Sequence, residues 1–306
     1  MIATDIHLLG GGYEADVSSA KGGICFRLIH TPTGADLLRT PQNEEHLREN
    51  VYLFGNPPLF PPNRIVGGTF MFEGKTYTLP LNEPATGCHI HGALWNLPFA
   101  VEALESDRVR LVYSAAAGEY IGFPHAFRFV REYRLDENGF WETDTVQNRS
   151  DSPMPFMLAY HTTFRLPFLK DGRKENLRLT LPVGREEMRT ESFIPTGEFR
   201  SPAEREVQMQ QGRYVPFGKH LSAFYECSGE MLLTDTESGI SISYEGDGQY
   251  PYRMLFQTAD GDFFVCEPQT CAIDCFHLTG DPCEYGLIVL APGESRSFQT
   301  KISIKQ

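Results

Sequence analysis

Short segments in which apolar and polar residues alternate dominate the sequence. In AFRFVREYRL, which spans 126–135, Phe127, Phe129 and Tyr133 share one phase. Because successive side chains of a strand point to opposite faces of a sheet, this period of two is typical of half-buried strands. The same pattern predicts strands at 24–30, 69–79, 109–114, 126–135, 140–148, 230–235, 239–245, 253–258, 262–267, 285–291 and 295–304. Gly residues within 72–77 (FEGKTY) and 136–139 (DENG) predict hairpin turns there.

Helical patterns are scarce. We expect two short helices, at 42–50 and 202–211, the second with Ser201 as its N-cap and Pro202 at its first position. Aromatic residues make up 12% of the chain, with 22 Phe and 13 Tyr, which favours strands. No internal repeat, low-complexity tract or flexible linker divides the sequence. We therefore predict that residues 1–306 form a single all-β domain.

The charge of the chain restricts its partners. The formal net charge is −13, and the sequence contains no block of Lys and Arg residues that would form a basic patch. A nucleic acid would be repelled by this field, so we expect no nucleic-acid partner. No apolar run approaches the length of a transmembrane helix, so we expect no membrane partner either. A small polar or neutral ligand suits this surface.

The cysteines and the first residues indicate a compartment. There are seven Cys, an odd number, and MIATDIHLLGGG lacks the basic start and apolar core of a signal peptide. Reduced thiols in the cytosol are the simplest interpretation, so we expect a cytoplasmic protein.

Three segments combine residues capable of catalysis with Pro, Gly and aromatic residues. They are PPLFPPNRIVGG (57–68), CHIHGALWN (88–96) and MLAYHTTF (157–164), which we pair with FFVCEPQT (263–270). Each also has an ordinary structural explanation. A lone His161 is more often a buried core histidine, and Arg64 can form a surface ion pair. On a strand His89 and His91 would share one face, which suits metal binding but is also common by accident.

In their joint order and spacing, these segments resemble the aldose 1-epimerase (galactose mutarotase-like) family. The resemblance covers roughly 59–293, most of the chain. Its markers are Pro62-Asn63-Arg64-Ile65, Gly68-x-Phe70, Phe72-Glu73-Gly74-Lys75-x-Tyr77-x-Leu79-Pro80-x-Asn82-Glu83, His91-Gly92, Asn148-x-Ser150, Pro153-x-Pro155, His161-x-x-Phe164, Glu267-Pro268-Gln269-Thr270 and Leu290-Ala291-Pro292-Gly293-Glu294-Ser295.

The resemblance implies a fold and a set of roles. The fold is a sandwich of large, curved antiparallel β-sheets with the sugar in an open cleft. Glu267 is implied to be the base and His161 the acid. Four residues are assigned to substrate binding: Arg64, His91, Asn63 and Gln269.

Two positions depart from the family pattern. The family often carries a substrate-binding Asp in a Leu-Asp-x-x-Phe/Tyr stretch, and here Ser222 takes its place in LSAFY (221–225). Ala93 stands where a second Gly usually follows His91-Gly92. We therefore expect a broad or unusual sugar preference rather than strict selection of galactose.

The implied reaction suits these residue types. Interconverting the α and β anomers of a free aldose requires a base at the anomeric hydroxyl and an acid at the ring oxygen, and no redox cofactor. A carboxylate is available as a base at pH 7, and an imidazole titrates near that pH. We therefore predict an isomerase that needs neither cofactor nor metal.

Other functions compete with this interpretation. A metal enzyme of the cupin type would use His89 and His91, but Gly92 to Asn96 supplies no further ligand, and Cys266, Cys271, Cys275 and His277 match no common zinc spacing. A non-catalytic carbohydrate-binding protein on the same fold would not need an acid–base pair. A hexose-6-phosphate mutarotase would require additional Arg or Lys in the cleft. We expect a monomer or a homodimer.

Overall fold

Residues 4–306, the part of the chain that the computed structural model describes, form 26 strands, two α-helices and four 3-10 turns. The strands are β1 (Ile6–Gly10), β2 (Tyr13–Ser18), β3 (Ile24–His30), β4 (Ala35–Asp36), β5 (Pro58–Leu59), β6 (Arg64–Val66), β7 (Thr69–Phe72), β8 (Lys75–Thr78), β9 (Cys88–Ile90), β10 (Ala100–Leu104), β11 (Arg108–Ala115), β12 (Phe127–Asp136), β13 (Gly139–Asn148), β14 (Met154–Phe156), β15 (Ala159–Tyr160), β16 (Thr163–Arg165), β17 (Leu177–Thr180), β18 (Glu186–Arg189), β19 (Pro195–Arg200), β20 (Leu221–Glu226), β21 (Met231–Asp235), β22 (Ser241–Gly246), β23 (Tyr252–Gln257), β24 (Phe263–Gln269), β25 (Ile288–Leu290) and β26 (Ser295–Lys305). The helices are α1 (Glu44–Glu49) and α2 (Glu204–Gln210), and the 3-10 turns are Val51–Leu53, Leu94–Asn96, Lys174–Asn176 and Pro282–Tyr285.

The first large sheet has eight strands in the order β10-β11-β12-β13-β26-β22-β21-β17. Its centre is the long hairpin of β12 and β13, whose tight turn brings Asp136 opposite Gly139. Along β12 the residues Phe127, Phe129 and Tyr133 are fully buried, as their shared phase predicts. A Cβ at Gly139, where φ is 139°, would lie 2.5 Å from a backbone oxygen of the neighbouring β26.

The second large sheet has the order β19-β18-β20-β23-β24-β15-β5, with β16 also paired to β24. One face belongs to the core: Ala223, Leu255 and Cys266 are fully buried there. The alternate residues of the same strands face a cleft instead. This division follows from the period of two, and it places polar groups such as Glu267 on the cleft face of an otherwise apolar strand.

The two large sheets pack face to face. Phe164 of the second sheet contacts Tyr244 of the first, with ring centroids 5.4 Å apart, and the hydroxyls of Thr162 and Tyr244 are hydrogen-bonded at 2.9 Å. Phe156 and Phe298 join the same core. Among the described residues every paired strand of these sheets is antiparallel, which confirms the predicted all-β sandwich of large antiparallel sheets.

Several predicted boundaries are wrong. The second helix begins at Glu204 and not at Pro202, because the carboxylate of Glu206 reaches back and accepts the N–H of Ala203 at 2.9 Å, which caps the helix two residues later than Ser201 would. The first helix begins after Asn43, whose side chain accepts the N–H of His46.

The segment predicted as a strand at 285–291 contains a strand only at Ile288–Leu290. A 3-10 turn precedes it, started by Pro282 and capped by the side chain of Asp281. No helix found between residues 4 and 306 has the length and apolar character needed to cross a membrane.

Candidate active site

Strand register places His161 opposite Glu267. Ala159 pairs with Gln269, and Thr163 pairs with Val265 on the same strand, so the intervening register sets His161 across from Glu267. The two side chains meet: Nε2 of His161 lies 3.4 Å from Oε1 of Glu267. Directly cross-strand residues are close neighbours in any antiparallel ladder, so the sheet itself fixes this contact.

A cleft of about 530 Å³ opens above this pair. Its floor is formed by two adjacent cross-strand pairs of the second sheet, Ser222 with Phe256 and Met254 with Glu267. The cleft is lined by Arg48, Glu49, Asn50, Val51, Tyr52, Leu53, Asn63, Arg64, Asn82, Glu83, Ile90, His91, His161, Phe193, Ser222, Met254, Phe256 and Glu267. This volume lies within the range of small-molecule sites.

The two-stranded ribbon of β6 and β9 forms one wall. Its register pairs Arg64 with Ile90, and the N–H of His91 donates to the carbonyl of Asn63 at 3.0 Å. Asn63 and His91 both have positive φ, 51° and 63°, so the chain turns at the end of each strand. Both side chains are almost fully buried, and they line the cleft together with Arg64, which brings three of the sequence-predicted binding residues into the same cleft as His161.

Gly92 permits this turn. At φ 60° a Cβ on Gly92 would lie 1.8 Å from the carbonyl oxygen of Phe60, so only glycine fits there. The position predicted from the His91-Gly92 motif therefore has a steric explanation.

Arg64 is held in the wall by Glu83. Its Nε donates to Oε2 of Glu83 at 2.6 Å and its terminal nitrogen donates to Oε1 at 2.7 Å, a bidentate pair. Thr86 donates to the same carboxylate at 2.5 Å. These bonds lower the pKa of Glu83 against the opposing effect of burial. Glu83 belonged to the sequence motif, but its role as the partner that orients Arg64 could not be predicted from it.

Tyr52 contacts both histidines of the cleft. Its ring centroid lies 4.6 Å from that of His91 and 6.1 Å from that of His161, and the ring of Trp95 packs against it edge-on at 5.2 Å. Burial raises the pKa of Tyr52 to about 12, so its hydroxyl stays protonated at neutral pH. Sequence reasoning missed Tyr52, because an aromatic residue in a short 3-10 turn carries no motif.

Burial moves the pKa values of the facing pair in opposite directions. It raises the pKa of Glu267 to about 8, against the lowering effects of the Gln269 hydrogen bond and the charges of Arg64 and Arg189. It lowers the pKa of His161 to about 4. His91, buried beside His161 and Arg64, has a pKa held well below its usual range and is neutral. At neutral pH the His161–Glu267 pair therefore carries one proton and no net charge.

Ser222 lines the cleft on the side away from His161. Arg189 lies behind it and donates to its carbonyl oxygen at 2.6 Å. The guanidinium groups of Arg189 and Arg64 both approach the ring of Phe193, with Cζ atoms 5.8 and 4.9 Å from the ring centroid. A cation therefore stands next to the position where the family often carries an Asp.

The structure places some residues differently from the positions expected from sequence. Gln269 is fully buried and does not line the cleft; its amide donates to Oε2 of Glu267 at 3.0 Å. His89 does not share a face with His91, because β9 ends at Ile90 and the backbone turns; His89 instead pairs with the carbonyl of Pro80 at 2.7 Å. Tyr160, the aromatic residue directly before His161, is fully buried in the core and does not line the cleft.

Of the residues weighed as metal ligands, His91 lines this cleft, whereas His89, Cys266, Cys271, Cys275 and His277 do not. Within residues 4–306 no group of three or more His, Cys, Asp or Glu side chains is arranged to hold a metal ion. All seven cysteines are free thiols in the described part of the chain, and six of them are buried.

A comparison with known protein families identifies the family to which the chain is related. The family model described as aldose 1-epimerase matches residues 19–303, nearly the whole chain. The chain belongs to the aldose 1-epimerase family. The markers and the cleft of this aldose 1-epimerase family member thus lie inside the matched region.

Individual relatives agree with the family. A galactose mutarotase-like protein from Clostridium acetobutylicum is 27% identical, with a TM-score of 0.93 over 98% of this chain and 94% of that protein. Galactose 1-epimerase from Lactobacillus acidophilus shares the fold at 17% identity, with a TM-score of 0.69 over 96% of this chain and 92% of that one. The Escherichia coli K12 protein YphB, which is uncharacterized, is 24% identical over 256 residues, 81% of this chain and 83% of its own.

Proposed function

We propose that this family member is an aldose 1-epimerase that interconverts the α and β anomers of a free aldose. The observation that carries the proposal is the contact between His161 and Glu267, an acid and a base 3.4 Å apart on the floor of a cleft sized for a small molecule. A protein that only binds sugars would not need this pair.

The proposed reaction moves two protons, and it begins from the form of the pair in which the shared proton lies on His161 and Glu267 is ionised. Glu267 takes the proton of the anomeric hydroxyl while Nε2 of His161 gives a proton to the ring oxygen, and the bond between the anomeric carbon and the ring oxygen breaks. The open-chain aldehyde rotates about its first carbon–carbon bond. The ring oxygen then attacks the other face, its proton returns to His161, and Glu267 returns its proton to the new anomeric oxygen. The enzyme ends as it began.

The pKa shifts suit this exchange. A carboxylate with a raised pKa accepts a proton readily, and an imidazolium with a lowered pKa releases one readily. Ring opening converts the charged pair into the neutral pair, and ring closure reverses it. Both forms contain one proton, so their ratio does not depend on pH between the two pKa values.

Arg64, His91 and Asn63 supply the proposed sugar contacts. Arg64 is oriented by Glu83, and the neutral imidazole of His91 lies with its ring centroid 5.5 Å from that of His161. A substrate bound against this wall would have its ring oxygen near the acid. These residues hold the sugar, whereas Glu267 and His161 perform the proton transfers.

The charges of the cleft favour an unphosphorylated sugar. Arg48 and Arg64 are balanced by Glu49 and Glu83, and the His161–Glu267 pair is neutral overall. A phosphate dianion would require a surplus of cationic donors, which these lining residues do not supply; the neighbouring Arg189 donates to the backbone carbonyl of Ser222. The hexose-6-phosphate alternative is therefore the less favoured substrate class.

Polarimetry tests the proposal. Freshly dissolved α-anomers of neutral aldoses and of hexose 6-phosphates are followed with and without protein. We expect the approach to anomeric equilibrium to accelerate for at least one neutral aldose. If sugars bind but no rate increases, the protein is a carbohydrate-binding member of the family and the proposal is wrong.

A further inference from the structure

Gln269 is a buried polar side chain whose position differs from the one its motif implies. It follows Glu267 by two residues on β24, so both side chains point to the same face of the strand. Its Nε2 donates to Oε2 of Glu267 at 3.0 Å, and both side chains are almost completely shielded from solvent. Gln269 therefore contacts the carboxylate and not the cleft.

Packing alone does not explain a glutamine at this place. Its Oε1 is buried without a hydrogen-bond partner in the part of the chain that the structure describes, and an unpaired buried oxygen is unfavourable. An apolar residue of similar size would avoid this cost. An apolar residue would, however, lack the N–H that Gln269 donates to Glu267.

The two carboxylate oxygens of Glu267 therefore have different partners. Oε2 accepts the Gln269 amide, while Oε1 faces Nε2 of His161 at 3.4 Å. A carboxylate fixed at one oxygen cannot rotate freely, so the other oxygen keeps its direction toward the acid and the cleft. We infer that Gln269 is a positioning residue for the proposed reaction: its amide holds the Glu267 carboxylate so that Oε1 stays aimed at the reacting protons.

This inference rests on the proposed function, and it also concerns the protonation state of Glu267. Besides Gln269, the groups that influence Glu267 are His161, from the segment after β15, Arg64 on β6 and Arg189 on β18. Met254 of β23, which pairs with Glu267, carries no charge. Because the amide donates to the ionised carboxylate, its removal raises the pKa of Glu267 and reduces the fraction of the pair in the charged form.

The test compares Gln269→Met with Gln257→Met. Gln257 is a matched control, because it is also fully buried in the second sheet, donates its amide at 2.8 Å and has an unpaired Oε1, but its acceptor is the carbonyl of Lys219. For Gln269→Met we expect kcat on the pH plateau to fall about tenfold and the alkaline limb of the profile to move up by about one pH unit, with KM unchanged. For Gln257→Met we expect neither change.

Three results would overturn the inference. A raised KM with unchanged kcat would mean that Gln269 binds the sugar, as its motif implies. Equal effects of both substitutions would mean a packing role. The third is independent of turnover: if NMR titration of the ¹³C-labelled Glu267 carboxyl gives the same pKa in wild type and Gln269→Met, the amide does not act on the base. That measurement stands even if the wild type accelerates no anomerisation, an outcome that would refute the proposed function itself.

Discussion

Replacement of Glu267 by Gln is the most direct perturbation of the proposed chemistry. The amide has the same shape, can accept from the Gln269 amide and can present its own N–H₂ to Nε2 of His161. Burial raises the pKa of Glu267 to about 8, so at pH 7 the site already holds a neutral pair. We therefore expect Glu267→Gln to change the free energy of unfolding by less than about 1 kcal/mol.

The expected loss of turnover follows from removing one proton-transfer group. A positioned acid or base contributes roughly 10²–10⁴-fold, which corresponds to about 3–5 kcal/mol of the barrier. Glu267→Gln should lower kcat at least about 100-fold, with a smaller change in KM, because the residue is not assigned to holding the sugar. Adding His161→Asn should cost far less than the product of the two single losses, because the pair acts as a unit.

The measurement is the catalysed rate of mutarotation by polarimetry, corrected for the spontaneous rate, with thermal melting to verify the fold. Glu49→Gln is the control, since Glu49 is another carboxylate of the same cleft and has no proposed part in proton transfer. Retention of more than about half of wild-type turnover by Glu267→Gln would refute the assignment. Glu83 would then be the next carboxylate to examine, because it also lines the cleft.

Four further outcomes are expected. Arg64→Ala and His91→Ala should raise KM and also lower kcat, measured by polarimetry over a range of sugar concentrations. The pH profile of kcat/KM should form a plateau between about 4 and about 8, falling at lower pH as the base is lost by protonation and at higher pH as the acid loses its proton. Activity should survive exhaustive chelation; loss restored by one added metal would contradict this. Because Ser222 replaces a carboxylate, galactose should not be strongly preferred over its epimers, and a steep preference would contradict that reasoning.

The strands of the sandwich were predictable because their burial follows a local rule. In β12 the alternation of Phe127, Phe129 and Tyr133 corresponds directly to the buried face. Helix ends were less predictable, since the start of α2 depends on Glu206 folding back to Ala203 rather than on the Ser-Pro pair before it. Such a choice between two capping arrangements depends on tertiary contacts, here including Tyr225, which donates to Glu206 at 2.8 Å.

The candidate site was predictable only where it follows motifs. His161, Glu267, Arg64, His91 and Asn63 were named from sequence, and the structure gathers them around one cleft. The contacts between elements could not be derived in this way. Tyr52 lies in a 3-10 turn that is far from both histidines in the sequence, yet its ring contacts them. Gln269 is fully buried instead of lining the cleft. The spacing of motif residues along the sequence indicates neither how deeply a side chain is buried nor the direction in which it points.

The structural elements from which the cleft residues come have a consequence for how the proposed sugar specificity can change. Glu267 and His161 face each other across backbone ladders of the second large sheet, whereas Arg64 and His91 belong to the short ribbon of β6 and β9 and Tyr52 to a 3-10 turn. The geometry of the proposed acid–base pair is therefore set by the scaffold, and the proposed sugar contacts belong to attached segments. Under the proposed function, substitutions in those segments would alter which sugar is accepted while the spacing of His161 and Glu267 is preserved.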